Sequence, residues 1–232
     1  MKPTLYFIPG TMCDSLIWSH IWPALKPDFD LVYLPIPSET ELSALLSSLL
    51  ATLNEAQAPV NLIGFSMGGY LATCLAEHNP SLIKRVLVLS NSPCRLPEAE
   101  LRQRQQTLNW LTKFQYSGIT EQKINQLLAK HNQHNAEIIA LIKTMEQNLG
   151  YEQLLTQLTA TSNRDDKSKF IAQCATHFTF CYGDEDKLID RQWMKQLAAH
   201  QHINSKMLNN CGHMLPLEQP TQLIELIRNT FD

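Results

Sequence analysis

The sequence has no run of Lys or Arg anywhere in its 232 residues. Its 19 basic and 22 acidic side chains are scattered and leave a formal net charge of −3. A nucleic-acid-binding face needs clustered positive charge, so no nucleic-acid partner is expected. No apolar stretch approaches the roughly 20 residues that cross a bilayer, so no membrane partner is expected either. The start, Met1-Lys2-Pro3-Thr4-Leu5-Tyr6-Phe7-Ile8-Pro9-Gly10, carries one Lys and an apolar run too short for a secretory leader. A soluble, cytoplasmic protein is the expectation. The six cysteines (Cys13, Cys74, Cys94, Cys174, Cys181 and Cys211) form no Cys-x-x-Cys pair and no zinc-ligand spacing. They read as free thiols in or near a core rather than as disulfides. A chain of 232 residues is long enough for one sizeable core and short for two, and 44 % hydrophobic with 18 % charged residues is ordinary for a soluble globular protein.

What is present is an alternation. Apolar runs at Leu5–Ile8, Phe29–Leu34, Val60–Phe65, Arg85–Ser90 and His177–Tyr182 read as strands, with a weaker one at Asn204–Leu208. Helical spacing of Leu runs from about Glu41 to Ala56, and helices are predicted over Met67–His78, Asp190–Ala199 and Thr221–Phe231. Strands that are apolar throughout, separated by helices, mean a mostly parallel sheet covered on both faces. Between Asn91 and His177 the pattern is only helical: Leu101–Phe114, Thr120–Lys130, Ala136–Asn148 and Gly150–Leu158. The domain expectation is an α/β core from residues 1–94 and 170–232 with an all-helical cap insertion over 95–169. Such a cap would lie over the carboxyl edge of the sheet, where open α/β sheets hold ligands.

Three segments carry chemistry. Gly64-Phe65-Ser66-Met67-Gly68 matches G-x-S-x-G between a predicted strand and a predicted helix, the context in which that motif has meaning. A sharp turn there would thrust the Ser66 hydroxyl out at a helix start, where backbone amides and the helix dipole favour negative charge. His213, in Cys211-Gly212-His213-Met214, sits on a loop after the last strand and before the last helix, placed to act as a base. Tyr182-Gly183-Asp184-Glu185-Asp186 follows a strand and offers three acids to orient that imidazole. The spacing past Gly183 favours Asp186, with Asp184 second and Glu185 third.

The order Ser, Asp, His and the strand-turn-helix context resemble the α/β-hydrolase family over nearly the whole chain. The resemblance implies an α/β-hydrolase fold and cleavage of a carboxylic ester or thioester through a Ser66-His213-Asp186 triad and an acyl-enzyme. It implies no metal and no organic cofactor. Phe7-Ile8-Pro9-Gly10-Thr11-Met12-Cys13-Asp14 is similar to the family's oxyanion loop. By that correspondence the amides of Thr11 and Met67 would hold the oxyanion, with Met12 as the alternative donor. Trp18, Trp110, Phe114 and Met145 are candidates for an apolar acyl pocket. The expected partner is a small acyl ester, or an ester or thioester on an acyl carrier, for which Arg95, Arg102, Arg104 and Lys113 could supply positive charge. Two other readings remain open at this point: a lyase or carbon–carbon bond hydrolase using the same three residues, and a non-catalytic binding protein on the same scaffold.

Overall fold

The computed structural model describes residues 2–56, 59–113 and 116–231. In its first strand, β1 (Thr4–Ile8), Leu5 and Phe7 enter one hydrophobic cluster and Ile8 enters a second one. A short helix α1 (Trp22–Leu25), strand β2 (Asp30–Tyr33) and helix α2 (Leu42–Leu53) follow. Strand β3 (Val60–Phe65) repeats the alternation: Val60 and Leu62 face one cluster, Ile63 and Phe65 the other. Side chains of a strand point to opposite faces in turn, so both faces of this sheet must be covered. Helix α3 (Met67–His78) and strand β4 (Ile83–Leu89) complete the first half.

Between β4 and the next strand lie α4 (Glu98–Leu111), α5 (Glu121–Leu127), α6 (Ala136–Thr161) and α7 (Ser168–Gln173). The sheet resumes with β5 (His177–Gly183), α8 (Arg191–Leu197) and β6 (Asn204–Leu208), and the chain ends through α9 (Leu215–Glu218) and α10 (Pro220–Phe231). Among the described residues six strands lie in the order β2-β1-β3-β4-β5-β6, and every neighbouring pair is parallel. Gly64 is paired with Ile8 on one side and Val88 on the other, so β1, β3 and β4 end nearly level. The turns leaving them therefore open at one edge. No described helix is long and apolar enough to cross a membrane.

Several elements differ from the sequence reading. The first insert helix begins three residues earlier, at Glu98, directly after Pro97, whose fixed φ suits the entry to a helix. The expected helix over Thr120–Lys130 ends at Leu127, with the Thr120 side chain capping it by accepting from Lys123 N at 3.2 Å. The two helices expected at 136–148 and 150–158 form one kinked run. Its break is Gly150 at φ 73° and ψ −178°, a conformation that only glycine adopts without strain. The short helices α1, α7 and α9 were not expected. At four to six residues each, they are too short to show a periodic apolar stripe.

Candidate active site

Ser66 occupies the bend between β3 and α3 at φ 51° and ψ −119°. A non-glycine residue there carries strain of about 1–3 kcal/mol and persists only where its neighbours dictate it. The neighbours are visible. Ser66 N donates to Leu89 O at 2.8 Å, and Gly69 N donates to Ser66 O at 2.9 Å. A Cβ on Gly64 would lie 2.3 Å from Gly68 O, and one on Gly68 would lie 2.2 Å from Ile8 O. The bend can close only with bare glycines at both positions, and α3 is thereby pressed onto the end of β1. Ser66 ends half-buried at the start of α3, with its hydroxyl facing the loop that follows β6.

On that loop His213 is 6 % exposed. Its Nε2 is 2.9 Å from Ser66 Oγ and its Nδ1 is 2.9 Å from Asp186 Oδ2. Asp186, 2 % exposed, also accepts from Leu188 N at 2.9 Å through its other oxygen. A carboxylate only accepts, so Nδ1 carries the imidazole hydrogen and Nε2 is left to accept from the serine hydroxyl. The structure thus brings together the three residues that the sequence placed 147 and 27 positions apart.

The two other acids of the β5 loop serve different atoms. Asp184 Oδ1 accepts from Cys211 N at 3.1 Å, and Glu185 Oε2 accepts from Lys130 N at 3.1 Å. Neither reaches the imidazole; each ties the loop after β5 to another segment.

Glu218 is a residue that the sequence reading passed over. Its buried carboxylate accepts from Gly212 N at 3.0 Å and Met214 N at 3.1 Å through Oε1. Through Oε2 it accepts from Ala129 N at 2.8 Å and Asn132 Nδ2 at 3.0 Å. The amides on both sides of His213 are thus fastened to one side chain, and His213 N itself donates to Leu127 O at 2.7 Å. Burial pushes the Glu218 carboxyl above the usual range, against the pull of these four donors. Glu218→Gln turns one acceptor oxygen into a donor facing other donors. The expected loss is about 2–3 kcal/mol, read as a lower urea midpoint with the slope unchanged.

The oxyanion loop can be read the same way. Met12 N is occupied, donating to Gln157 Oε1 of α6 at 2.9 Å. Among the described residues, Thr11 N and Met67 N have no acceptor. The two residues touch through the Thr11 hydroxyl, which donates to Met67 Sδ at 3.5 Å. Of the three candidate amides, Thr11 and Met67 therefore remain available and Met12 does not.

Two of the four pocket candidates are packed into the core. Trp18 is wholly buried, its ring edge-on to Phe7 at 5.0 Å and to Phe65 at 6.3 Å. Met145 is likewise wholly buried, in the cluster that holds Ile124, Leu128, Ile138 and Ile142. Both are corrected to core residues, because a side chain with no exposed surface has none to offer a ligand. Trp110 lies on α4 with 41 % of its surface exposed. Phe114 falls outside the described residues.

A family model of the alpha/beta hydrolase fold matches residues 56–220. The chain belongs to the α/β-hydrolase fold family. The match spans the serine bend, the helices between β4 and β5, the acid loop and His213. A curated relative, the pimeloyl-[acyl-carrier protein] methyl ester esterase of Yersinia enterocolitica, is 24 % identical over 96 % of this chain and 91 % of its own. Among solved structures, a thermophilic esterase from Thermogutta terrifontis superposes with a TM-score of 0.85 at 18 % identity, covering 99 % of this chain and 89 % of the other. A hydrolase from Pseudomonas aeruginosa superposes with a TM-score of 0.84 at 17 % identity, with the same coverages. At these identities the superpositions speak to the fold.

Proposed function

We propose that this chain is a serine hydrolase of carboxylic esters or thioesters, with Ser66 as nucleophile, His213 as general base and acid, and Asp186 as the group orienting the imidazole. The reading rests on one observation: an unbroken hydrogen-bonded line from Asp186 through His213 to Ser66, at 2.9 Å per link. Ser66 Oγ attacks the substrate carbonyl while His213 Nε2 takes its proton. The amides of Thr11 and Met67 receive the negative charge that develops on the carbonyl oxygen. Collapse expels an alcohol or thiol, protonated by His213, and leaves an acyl group on Ser66. Water then attacks that acyl group with His213 again as base, and the acid product leaves.

The curated relative is named for cleaving a methyl ester from an acyl chain on a carrier protein. That name supports an acyl ester as the substrate class, free or carrier-bound. A cytoplasmic location is part of the proposal, supported by six free cysteines.

The thiols are poor rivals as nucleophiles. Burial pushes Cys13 and Cys181 up to about 12 and Cys74 up to about 11, so they stay protonated at neutral pH. A panel of p-nitrophenyl esters of graded chain length tests the proposal. Turnover is expected, blocked by a fluorophosphonate that labels Ser66 and untouched by N-ethylmaleimide. Labelling of Ser66 without turnover of any ester or thioester would favour the lyase chemistry instead.

A further inference from the structure

We propose that helix α6 of the insert holds the oxyanion-binding amides in register, with Gln157 as the positioning residue. Its carboxamide oxygen fixes Met12, and Met12 in turn keeps the neighbouring Thr11 N–H directed at the space in front of Ser66. The proposal deepens the ester-hydrolase reading and rests on it.

The oxyanion loop does not hold its own shape. Met12 sits at φ 55°, a left-handed conformation that a residue with a side chain adopts only under constraint. One backbone bond, Cys13 N to Gly10 O at 3.1 Å, closes the turn. The Met12 amide lies inside that turn and finds its acceptor on Gln157, 145 residues away in sequence. Gln157 is 1 % exposed, so bulk water cannot take its place as acceptor. An amide left unpartnered there would turn to find water, and the turn would carry Thr11 with it.

The same face of α6 reaches the other half of the site. Thr161 lies one helical turn beyond Gln157, and residues four apart share a helix face. Its hydroxyl is 3.6 Å from Met67 Sδ, the atom that the Thr11 hydroxyl meets at 3.5 Å. One helix therefore bears on Met12 through Gln157 and on Met67 through Thr161.

The end of this helix is itself anchored. Thr161 O accepts from Arg164 Nε at 2.8 Å and from Arg104 Nη1 at 3.4 Å. Cations at a helix C-terminus meet its partial negative charge. The Arg164 guanidinium lies 4.8 Å from the centre of the Tyr70 ring, and Tyr70 belongs to α3, the helix that Ser66 begins. The helix bearing Gln157 is thereby registered against the helix that starts at the nucleophile.

The test compares wild type with Gln157→Leu, which keeps the bulk and loses the acceptor, and with Gln157→Glu, which keeps an acceptor. Hydrolysis of p-nitrophenyl butyrate gives kcat and KM. Inhibition by an alkyl trifluoromethyl ketone, whose Ser66 adduct carries an oxyanion, reads the amides directly. Gln157→Leu is expected to lower kcat by about 10–100-fold and to weaken the ketone by a similar factor, with KM within about twofold of wild type. Gln157→Glu is expected to recover most of both losses. If Gln157→Leu does not fold, Gln157→Asn, too short to reach Met12, replaces it with the same expectation. Wild-type kcat and inhibition in the Leu or Asn variant would overturn the proposal, as would a rise confined to KM or a failure of Glu to rescue. Absence of Ser66-dependent turnover in the wild type would instead overturn the ester-hydrolase reading.

Discussion

Ser66→Ala should lower ester hydrolysis by at least roughly 10,000-fold, with no new KM to explain the loss. The substitution removes the hydroxyl that lies 2.9 Å from His213 Nε2. It leaves the backbone bonds of the bend in place, since Ser66 N to Leu89 O and Gly69 N to Ser66 O involve no side chain. Folding should therefore be nearly unaffected, with a change in melting temperature of no more than about 2–4 °C. Initial rates with p-nitrophenyl butyrate and a thermal melt on the same preparation check both halves. Turnover by the alanine variant above a few per cent of wild type would remove Ser66 from the mechanism.

Asp186→Asn should lower kcat by about 10,000-fold through the tautomer of the imidazole rather than through the fold. The direction follows from the partners. Leu188 N donates to Asp186 Oδ1 at 2.9 Å, and the asparagine would keep its carbonyl oxygen on that amide. Its NH2 group would then face His213 Nδ1, which now has to accept. The ring hydrogen would move to Nε2, and the atom facing Ser66 would become a donor with no capacity to take a proton. Asp184→Asn is the matched control. Its task is to accept from Cys211 N at 3.1 Å, and an amide oxygen accepts equally well. The expected loss of kcat is less than about tenfold, because the imidazole keeps its carboxylate. Rates for the two variants on one ester decide the assignment, and an exchange of their effects would transfer the orienting role to Asp184.

The serine bend was legible in the sequence for a physical reason. A strand, a residue flanked by glycines two positions away on either side, and a helix form a pattern whose geometry is almost forced. A Cβ at Gly64 would run into Gly68 O and one at Gly68 into Ile8 O, so little else would fit. The parallel sheet was legible because strands buried on both faces are apolar throughout. The acid was harder, because Asp184, Glu185 and Asp186 have the same chemistry and differ only in what the fold sets opposite them. Glu218 was invisible because a lone acid between prolines looks like a solvated loop residue. Its four donors come from segments that the sequence does not connect. Gln157 was hidden in a helix rich in Gln and Leu, where one buried amide cannot be told from its exposed neighbours. Trp18 and Met145 were misread because an apolar side chain near a functional loop fits a pocket wall and a core equally well until its exposure is known.

The helical segment between β4 and β5 meets the rest of the molecule at the working loops. Leu127 O receives the amide of His213, Ala129 and Asn132 share the carboxylate of Glu218, and Gln157 holds Met12. Swapping this segment for that of another family member, in order to redirect substrate choice, would strip fastenings from two loops at once. A graft that retains residues 127–132 and 157–164 while exchanging the helices between them is the division along which this scaffold can be re-engineered.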